Sequence, residues 1–261
     1  MNAADGSKIA KGGYQNEDDI INKFNDWQSD VHAQQWIGEM GYDVNAIKSL
    51  SAISGADAKR EIQKIRNVKL GPTKTDVQLC VMLEVGNETH IENIQAKLVS
   101  VEGRGPGNQV DKRWVSTYAE MWNIPDPISN ILKRFTGEIS PNVFNTKYDN
   151  RMIMHEFTQA ERNLVLQFVN RNKIMIVNDV LKGRGPLATE WFLVVRSFGD
   201  QYLTTIKPIN VVTNFFGGGD VVVSPKGSIN IGRIRMQRKG GDSGRTSAQT
   251  LQFKVYPTDL L

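Results

Sequence analysis

The chain has 261 residues, 39% of them hydrophobic and 23% charged, with a formal net charge of +4 at pH 7. This composition is typical of an ordinary folded, water-soluble protein that is long enough to bury a substantial core. A sequence pI near 9.1 hints at a polyanionic partner but does not establish one. The single cysteine, Cys80, excludes an internal disulfide and a cysteine-cluster zinc site, in agreement with a reducing cytoplasm.

Three other features narrow the class of protein further. Metal-ligand spacing is absent among the three histidines, His32, His90 and His155. A histidine-based metal or nucleophile site is therefore not expected. Residues 1–13 are polar and lack the apolar core of a signal peptide. No apolar run approaches the length of a membrane span. We therefore expect a cytoplasmic protein that does not engage a membrane.

The first elements in chain order are predicted to be helices. Asn16 can cap a first helix whose apolar residues recur at helical spacing, namely Ile20, Phe24 and Trp27. Further helical segments are predicted at about residues 31–40 and 44–50. These helices precede the first predicted strands.

A β-hairpin is predicted next. Residues 76–85 alternate strictly between polar and apolar, as a half-buried strand does, and residues 90–99 are also extended in character. Gly86-Asn87 between them suits a two-residue type II′ turn. If Val85 then pairs with Glu88, the register of the whole hairpin is set.

That register brings three polar side chains together on one face of the hairpin. Asp76 lies directly opposite Lys97 and one diagonal step from Gln95. Asp76 could hold a hard divalent cation, most naturally magnesium, and the Gln95 side chain and the Ala96 backbone carbonyl could add neutral oxygen ligands. Lys97 would orient the attacking water and offset charge on a scissile phosphate. By itself, however, this pattern is more often a solvated strand face.

A glycine-rich loop, residues 103–107, follows the hairpin. It lacks the Gly-Lys-Ser/Thr ending of a P-loop, so we exclude nucleoside triphosphate binding. The loop is predicted to lead into a helix with a buried apolar stripe that comprises Val110, Trp114, Tyr118, Met121 and Trp122. Lys112 and Arg113 fall in its first turn, where the helix dipole disfavours cations unless a phosphate or base edge is near. With Gln109, they have the chemistry of major-groove readout.

The rest of the chain is predicted to be helical and then rich in strands. A short helix ends near Gly137, and Thr158 to Glu161 form a capping box before another helix. Strands are predicted at residues 191–198, 202–206, 220–224, 229–237 and 251–256, with mobile loops at 217–219 and 239–244. The expected fold is mixed α/β, a central sheet flanked by helices in a single domain over residues 1–261, with the site at one edge of the sheet.

Positive charge is concentrated near the C-terminus among glycines that let a backbone approach phosphates: Arg233, Arg235, Arg238, Lys239 and Arg245. Arg104, in the earlier glycine-rich loop, is a further candidate for DNA contact. Taken alone, such a cluster is more often a solvated loop.

The polar hairpin residues also form a known family pattern. Thr75-Asp76, eighteen residues, and Gln95-Ala-Lys97 resemble the PD-(D/E)xK nucleases, in a branch where glutamine replaces the second acid. Further segments in the same order are similar to the HinP-type, GCGC-cutting restriction endonucleases: residues 11–17, 95–100, 108–112, 120–122, 135–138, 237–242 and 251–254. The departure is the segment 52–74, which is longer than its equivalent in that family.

This resemblance implies a restriction-endonuclease-like fold and a type II restriction endonuclease that needs magnesium and cuts duplex DNA, with GCGC as the target. It also implies recognition contacts from Gln109 and Lys112, whereas Arg113 is added on its chemistry alone. Related nucleases often place an acid near the metal from the first helix. Glu17 could fill that role, although a capping or first-turn role is favoured. A palindrome suits either a homodimer or one chain that cuts the strands in separate encounters.

Two alternatives stay open at this point. One is a structure-directed or repair nuclease with the same core, and the other is a DNA-binding module without catalysis. Cleavage of plasmid DNA into discrete fragments would separate the restriction enzyme from both.

Overall fold

A computed structural model describes residues 15–84, 88–141, 151–239 and 246–261. The chain forms two compact units. The first unit comprises the described chain up to Pro106, Leu181–Thr213 and Tyr256–Leu261, and the second unit comprises Gly107–Val180 and Asn214–Val255. The single domain remains a prediction. Within the described ranges, no helix has the length and apolarity that crossing a membrane requires.

The described helices are α1 (residues 15–25), α2 (Val31–Glu39), α3 (Gly55–Arg66), α4 (Val115–Trp122), α5 (Asp126–Thr136), α6 (Gln159–Arg171), α7 (Lys173–Leu181) and α8 (Ile209–Gly217). The strands are β1 (Ile47–Ser54), β2 (Val77–Leu83), β3 (Thr89–Val99), β4 (Asn108–Arg113), β5 (Trp191–Phe198), β6 (Gln201–Pro208), β7 (Val221–Val223), β8 (Ile229–Ile231), β9 (Ile234–Arg238) and β10 (Leu251–Val255).

The first unit contains a mixed five-stranded sheet in the order β1-β2-β3-β5-β6. Only the pairing of β3 with β5 is parallel; the other pairs are antiparallel. The strands β2 and β3, which carry the predicted catalytic residues, are therefore interior. The expectation that the site lies at the edge of the sheet is wrong, because β1 covers the outer side of β2.

A hydrophobic core forms on one face of this sheet. The alternating apolar residues of β2 and β3 face it, and α1 and α2 contribute their apolar residues to the same cluster. Its members include Ile20, Phe24, Trp36, Val77, Leu79, Ile94, Ala96 and Leu193. The helical spacing of Ile20, Phe24 and Trp27 thus predicted a buried face correctly.

The segment between α2 and β2 differs from the prediction. The helix predicted at 44–50 is wrong, because only Val44–Ala46 form a 3₁₀ helix and the chain from Ile47 pairs with β2. A short apolar segment is compatible with both helical and strand periodicity, so pairing with β2 determines the conformation of residues 47–50. The longer connection at 52–74 contains the end of β1 and the whole of α3, whose first turn is capped by the Ser54 side chain.

The second unit contains an antiparallel five-stranded sheet in the order β4-β10-β9-β8-β7. One face is apolar and packs on an aromatic cluster in which the Tyr118 and Trp122 rings stack, with centroids 4.4 Å apart, and Phe253 meets both edge-on. Tyr118 and Trp122 are buried as predicted, whereas Trp114 is 37% exposed.

The helix predicted to begin near Val110 begins only at Val115. Residues 108–113 form strand β4 instead, because β10 offers an antiparallel partner for them. Lys112 and Arg113 are therefore not in a helical first turn, and the argument from the helix dipole fails. Three later predictions agree with the structure: α5 ends at a Gly137 cap, α6 begins at the Thr158 capping box, and each strand predicted after residue 190 is present, with 229–237 divided into β8 and β9. Of the loops predicted at 217–219 and 239–244, the first begins within α8 and the second lies mostly outside the described residues.

Candidate active site

Asp76 and Lys97 meet at the start of β2. The Asp76 amide donates to the Ile94 carbonyl at 2.8 Å, and the Ala96 amide donates to Asp76 Oδ2 at 2.8 Å. Lys97 Nζ lies 3.5 Å from the same Oδ2. The Asp76 carboxylate is thus held by a backbone amide and an ammonium group that both belong to β3.

The register differs from the one predicted. Val77 pairs with Ile94, and the Leu83 amide donates to the Glu88 carbonyl, so Asp76 falls opposite Gln95 and not opposite Lys97. The shift is two residues, and because strand side chains alternate with a period of two, the three side chains stay on one face. The turn that was used to set the register, Gly86-Asn87 with Val85, lies outside the described residues.

Two tertiary contacts fix the backbone just before β2. The Gly55 amide, at the start of α3, donates to the Asp76 carbonyl at 2.8 Å. The Thr75 hydroxyl donates to the Leu187 carbonyl at 2.8 Å. Gly55 allows a close approach, because a Cβ there would lie 2.0 Å from the Thr75 carbonyl oxygen. The position of Asp76 therefore depends on β1, α3 and the loop before β5, and not on the hairpin alone.

Gln95 is buried, with only 3% of its surface exposed, and its side-chain Oε1 has no hydrogen-bond partner among the described residues. A buried carbonyl oxygen without a partner costs about 1–3 kcal/mol. A ligand that accepts a lone pair, such as a divalent cation, would remove that cost. This orphan oxygen fits the role predicted for Gln95.

Glu17, in α1, is the site residue whose role the sequence left unresolved. Its pKa is raised to about 7, first by burial and then by the negative charge of Asp76, while the positive charge of Lys97 lowers it. Glu17 is thus within electrostatic reach of both residues. Its position in the first turn of α1 fits the role that the sequence favoured, and its proximity to Asp76 also fits a second acid at the site. The role of Glu17 therefore remains a prediction.

The side-chain oxygen donors near the site are therefore the carboxylates of Asp76 and Glu17 and the amide of Gln95, while the Ala96 carbonyl remains a predicted ligand. In the part of the chain that the structure describes, no three histidine, cysteine, aspartate or glutamate side chains converge to hold a metal. The donor set instead suits a hard cation that keeps several waters, as magnesium does.

The predicted DNA contacts fall in different places. Gln109 and Lys112 share one face of β4, because Gln109 pairs with Lys254 and Lys112 with Gln252, and the strand is irregular between these pairs. Arg113 lies on the other face, where its Nε donates to Asp111 Oδ2 at 3.2 Å. The structure brings Gln109 and Lys112 together, but Arg113 points away from them.

The remaining predicted contacts are engaged within the protein. Arg104 donates to both carboxylate oxygens of Asp259, with its guanidinium 3.9 Å from the centre of the Tyr256 ring. Arg238 donates to the Met152 carbonyl at 2.8 Å. The Lys239 amide donates to the Thr250 carbonyl at 3.0 Å, whereas Arg245 lies outside the described residues. As DNA contacts, all of these residues remain predictions.

Comparison of the sequence with protein-family models shows the family to which the chain belongs. The model of the R.HinP1I restriction endonuclease family matches residues 40–261, which is most of the chain. The chain belongs to the R.HinP1I restriction endonuclease family. Its resemblance to HinP-type enzymes is thereby confirmed, and the matched range of this family includes Asp76, Gln95 and Lys97 but not Glu17.

The fold agrees with this assignment to the R.HinP1I family. The chain is similar to the restriction endonuclease MspI in a crystal structure with its cognate DNA, with a TM-score of 0.60 and 14% sequence identity over 91% of this chain and 87% of MspI. At that identity the likeness shows the fold alone. No curated protein matches the chain. As a member of the R.HinP1I family, the protein is a type II restriction endonuclease, a site-specific deoxyribonuclease.

Proposed function

We propose that this restriction endonuclease hydrolyses duplex DNA at GCGC in a magnesium-dependent reaction that uses Asp76, Gln95 and Lys97. The observation that carries the proposal is the buried Gln95 Oε1, which has no partner among the described residues. It lies on β3, the strand that carries Lys97 and whose Ala96 amide binds the Asp76 carboxylate. The GCGC target is supported by the likeness of the sequence to HinP-type enzymes. A cytoplasmic location belongs to the same proposal.

Each residue has a defined part in this proposal. The side-chain oxygens of Asp76 and Gln95 and the Ala96 carbonyl would hold the cation, with Glu17 as a further oxygen donor. A bound magnesium ion would polarise the phosphate and lower the pKa of a coordinated water. Lys97 would orient the attacking water and offset the charge that builds on the phosphate. The water oxygen would bond to phosphorus as the bond to the 3′ oxygen breaks. The water would release a proton to solvent and the 3′ oxygen would take one up, which leaves 5′-phosphate and 3′-hydroxyl ends.

Asp76→Asn tests the site with little change in shape. We expect cleavage to be lost, while binding of a GCGC duplex in calcium or without metal is largely retained, because the charged ligand is removed and the DNA contacts are not. Asp26→Asn, at an exposed position in the same unit, is the matched control and should cleave normally. Normal turnover by Asp76→Asn would refute the proposed site.

Gln95→Glu tests the neutral ligand. If the amide oxygen binds the cation, a carboxylate at this position should keep part of the activity and change the preference among magnesium, manganese and calcium. An enzyme with unchanged rates and metal preference would place Gln95 outside the coordination shell.

Sequencing the cut ends of digested plasmid DNA tests the target. Discrete fragments with ends within GCGC are expected, whereas a smear, or cleavage only at branched DNA, would favour a structure-directed nuclease. The time course also reports on assembly. A homodimer should produce linear plasmid directly, and a single chain that acts twice should accumulate nicked plasmid first.

A further inference from the structure

Three glutamines lie in a row across three neighbouring strands of the second unit's sheet. Gln252 on β10 pairs with Gln237 on β9, and one step along the sheet its side chain reaches Gln109 on β4. Gln237 Nε2 donates to Gln252 Oε1 at 3.3 Å, and Gln252 Nε2 donates to Gln109 Oε1 at 2.6 Å. The three side-chain amides are therefore hydrogen-bonded in series, and each bond is donated in the direction from Gln237 toward Gln109.

The two ends of this glutamine row differ in chemistry. Gln252, in the middle, is only 5% exposed, while Gln109 is exposed and Gln237 is half-buried. Because Gln252 occupies the Gln109 oxygen, Gln109 Nε2 is left as a hydrogen-bond donor. Because Gln237 uses its nitrogen, its Oε1 is left as an acceptor. Neither end has another hydrogen-bond partner within the described ranges.

The same face carries cations beside the row. Lys112 pairs with Gln252, and Lys254 pairs with Arg235 on one side and Gln109 on the other. Like charges at directly opposite positions destabilise a sheet. Burial and the charge of Arg235 also lower the pKa of Lys254. A nearby phosphate would offset this repulsion, so the cations favour a polyanion at this face.

We propose that Gln252 is a positioning residue for base recognition, which fixes the Gln109 amide as a donor and presents the Gln237 oxygen as a further acceptor. The inference rests on the proposed function. In the major groove guanine offers acceptors at N7 and O6, and cytosine offers a donor at N4. A donor and an acceptor held in one row complement a G·C pair, with Gln109 toward guanine and Gln237 toward cytosine.

The decisive measurement compares wild type with Gln252→Met, which keeps the size of the side chain and removes both amide hydrogen bonds. We expect the ratio of affinities for a GCGC duplex and for a duplex without the site to fall about ten- to hundredfold, the discrimination that a good base contact supplies. Affinity for the second duplex and its salt dependence should change little, and the urea midpoint reports the stability cost of the two lost hydrogen bonds separately. Gln167→Met, at an exposed position on α6, is the control and should match wild type.

A mutant cycle separates positioning from simple support of the sheet. If Gln252 acts through Gln109 and Gln237, adding Gln252→Met to a variant with both Gln109→Met and Gln237→Met should lower the discrimination no further. Additive losses, or an affinity ratio for Gln252→Met equal to that of wild type, would overturn the inference.

Two further controls keep the outcome interpretable. If Gln252→Met does not fold, Gln237→Met at its half-buried position tests the acceptor end, and unchanged discrimination there overturns the inference. If wild type itself does not prefer GCGC, the proposed target fails. The cycle is then repeated with a duplex that contains the sequence found at the cut ends. If the affinity ratio of Gln252→Met there equals that of wild type, the inference is again overturned.

Discussion

Replacing Gly55 with alanine should displace Asp76 from its place in the candidate site. A Cβ on Gly55 would lie 2.0 Å from the Thr75 carbonyl oxygen and 2.8 Å from its carbonyl carbon, whereas real Cβ contacts under 3.0 Å are essentially never seen. Both clashing atoms are backbone, so a rotamer change cannot relieve the contact. The segment that carries Asp76 must therefore move by about 1 Å, the difference between 3.0 and 2.0 Å.

The expected consequences are large and measurable. A displacement of this size in a catalytic group reduces the rate by roughly a hundredfold, and overpacking lowers the free energy of unfolding by about 1–3 kcal/mol. Initial rates of plasmid cleavage with saturating magnesium and urea unfolding report the two effects separately.

Gly38→Ala is the matched control for this prediction. Gly38 lies in α2 with nothing within 4 Å of its added Cβ, so the rate should be unchanged and the protein about 0.5–1 kcal/mol more stable. If Gly55→Ala behaved like Gly38→Ala in both assays, the claim that this glycine sets the position of Asp76 would be refuted.

Three other changes test the surroundings of the two sheets. Thr75→Val removes the donor to the Leu187 carbonyl and should lower the free energy of unfolding by about 1–3 kcal/mol, whereas Thr75→Ser should recover most of the loss in the same urea titration. Tyr118→Phe removes a 2.9 Å hydrogen bond to the buried Asp111 carboxylate, for an expected loss of about 1.5–3 kcal/mol; an unchanged midpoint would contradict this. Glu17 has a pKa near 4.5 when unfolded and about 7 when folded, so its ionisation destabilises the fold progressively as pH rises through that interval. In EDTA, Glu17→Gln should therefore raise the Tm above wild type at pH 8 and match it below pH 4.5, and equal Tm values at pH 8 would count against the burial of this acid.

Local signals in the sequence predicted several elements correctly. The capping box at Thr158 and the glycine after α5 set helix boundaries through hydrogen bonds within a few residues, and the structure shows both. Trp191 to Phe198 was predicted as a strand with the bounds that β5 has. These predictions hold in the folded protein because the interactions on which they depend are local.

The wrong predictions occurred where a distant strand decides the conformation. Residues 47–50 fit a helix until β2 pairs with them, and residues 108–113 fit the start of a helix until β10 does. The hairpin register was also wrong by two residues, since Val77 pairs with Ile94. A short segment of sequence carries no information about a pairing partner that is far away along the chain, so these conformations could not be predicted locally.

For the candidate site, the sequence by itself determined the spacing of Asp76, Gln95 and Lys97 on one strand face, since alternation along a strand is a property of the chain alone. Only the tertiary structure decided what surrounds them. It brought Glu17 to the acid, packed Gly55 and Leu187 against the backbone that carries it, and joined Gln252 to Gln109 across a second sheet. These contacts join segments far apart in the sequence, so their geometry follows from how helices, strands and loops pack, and not from any local pattern.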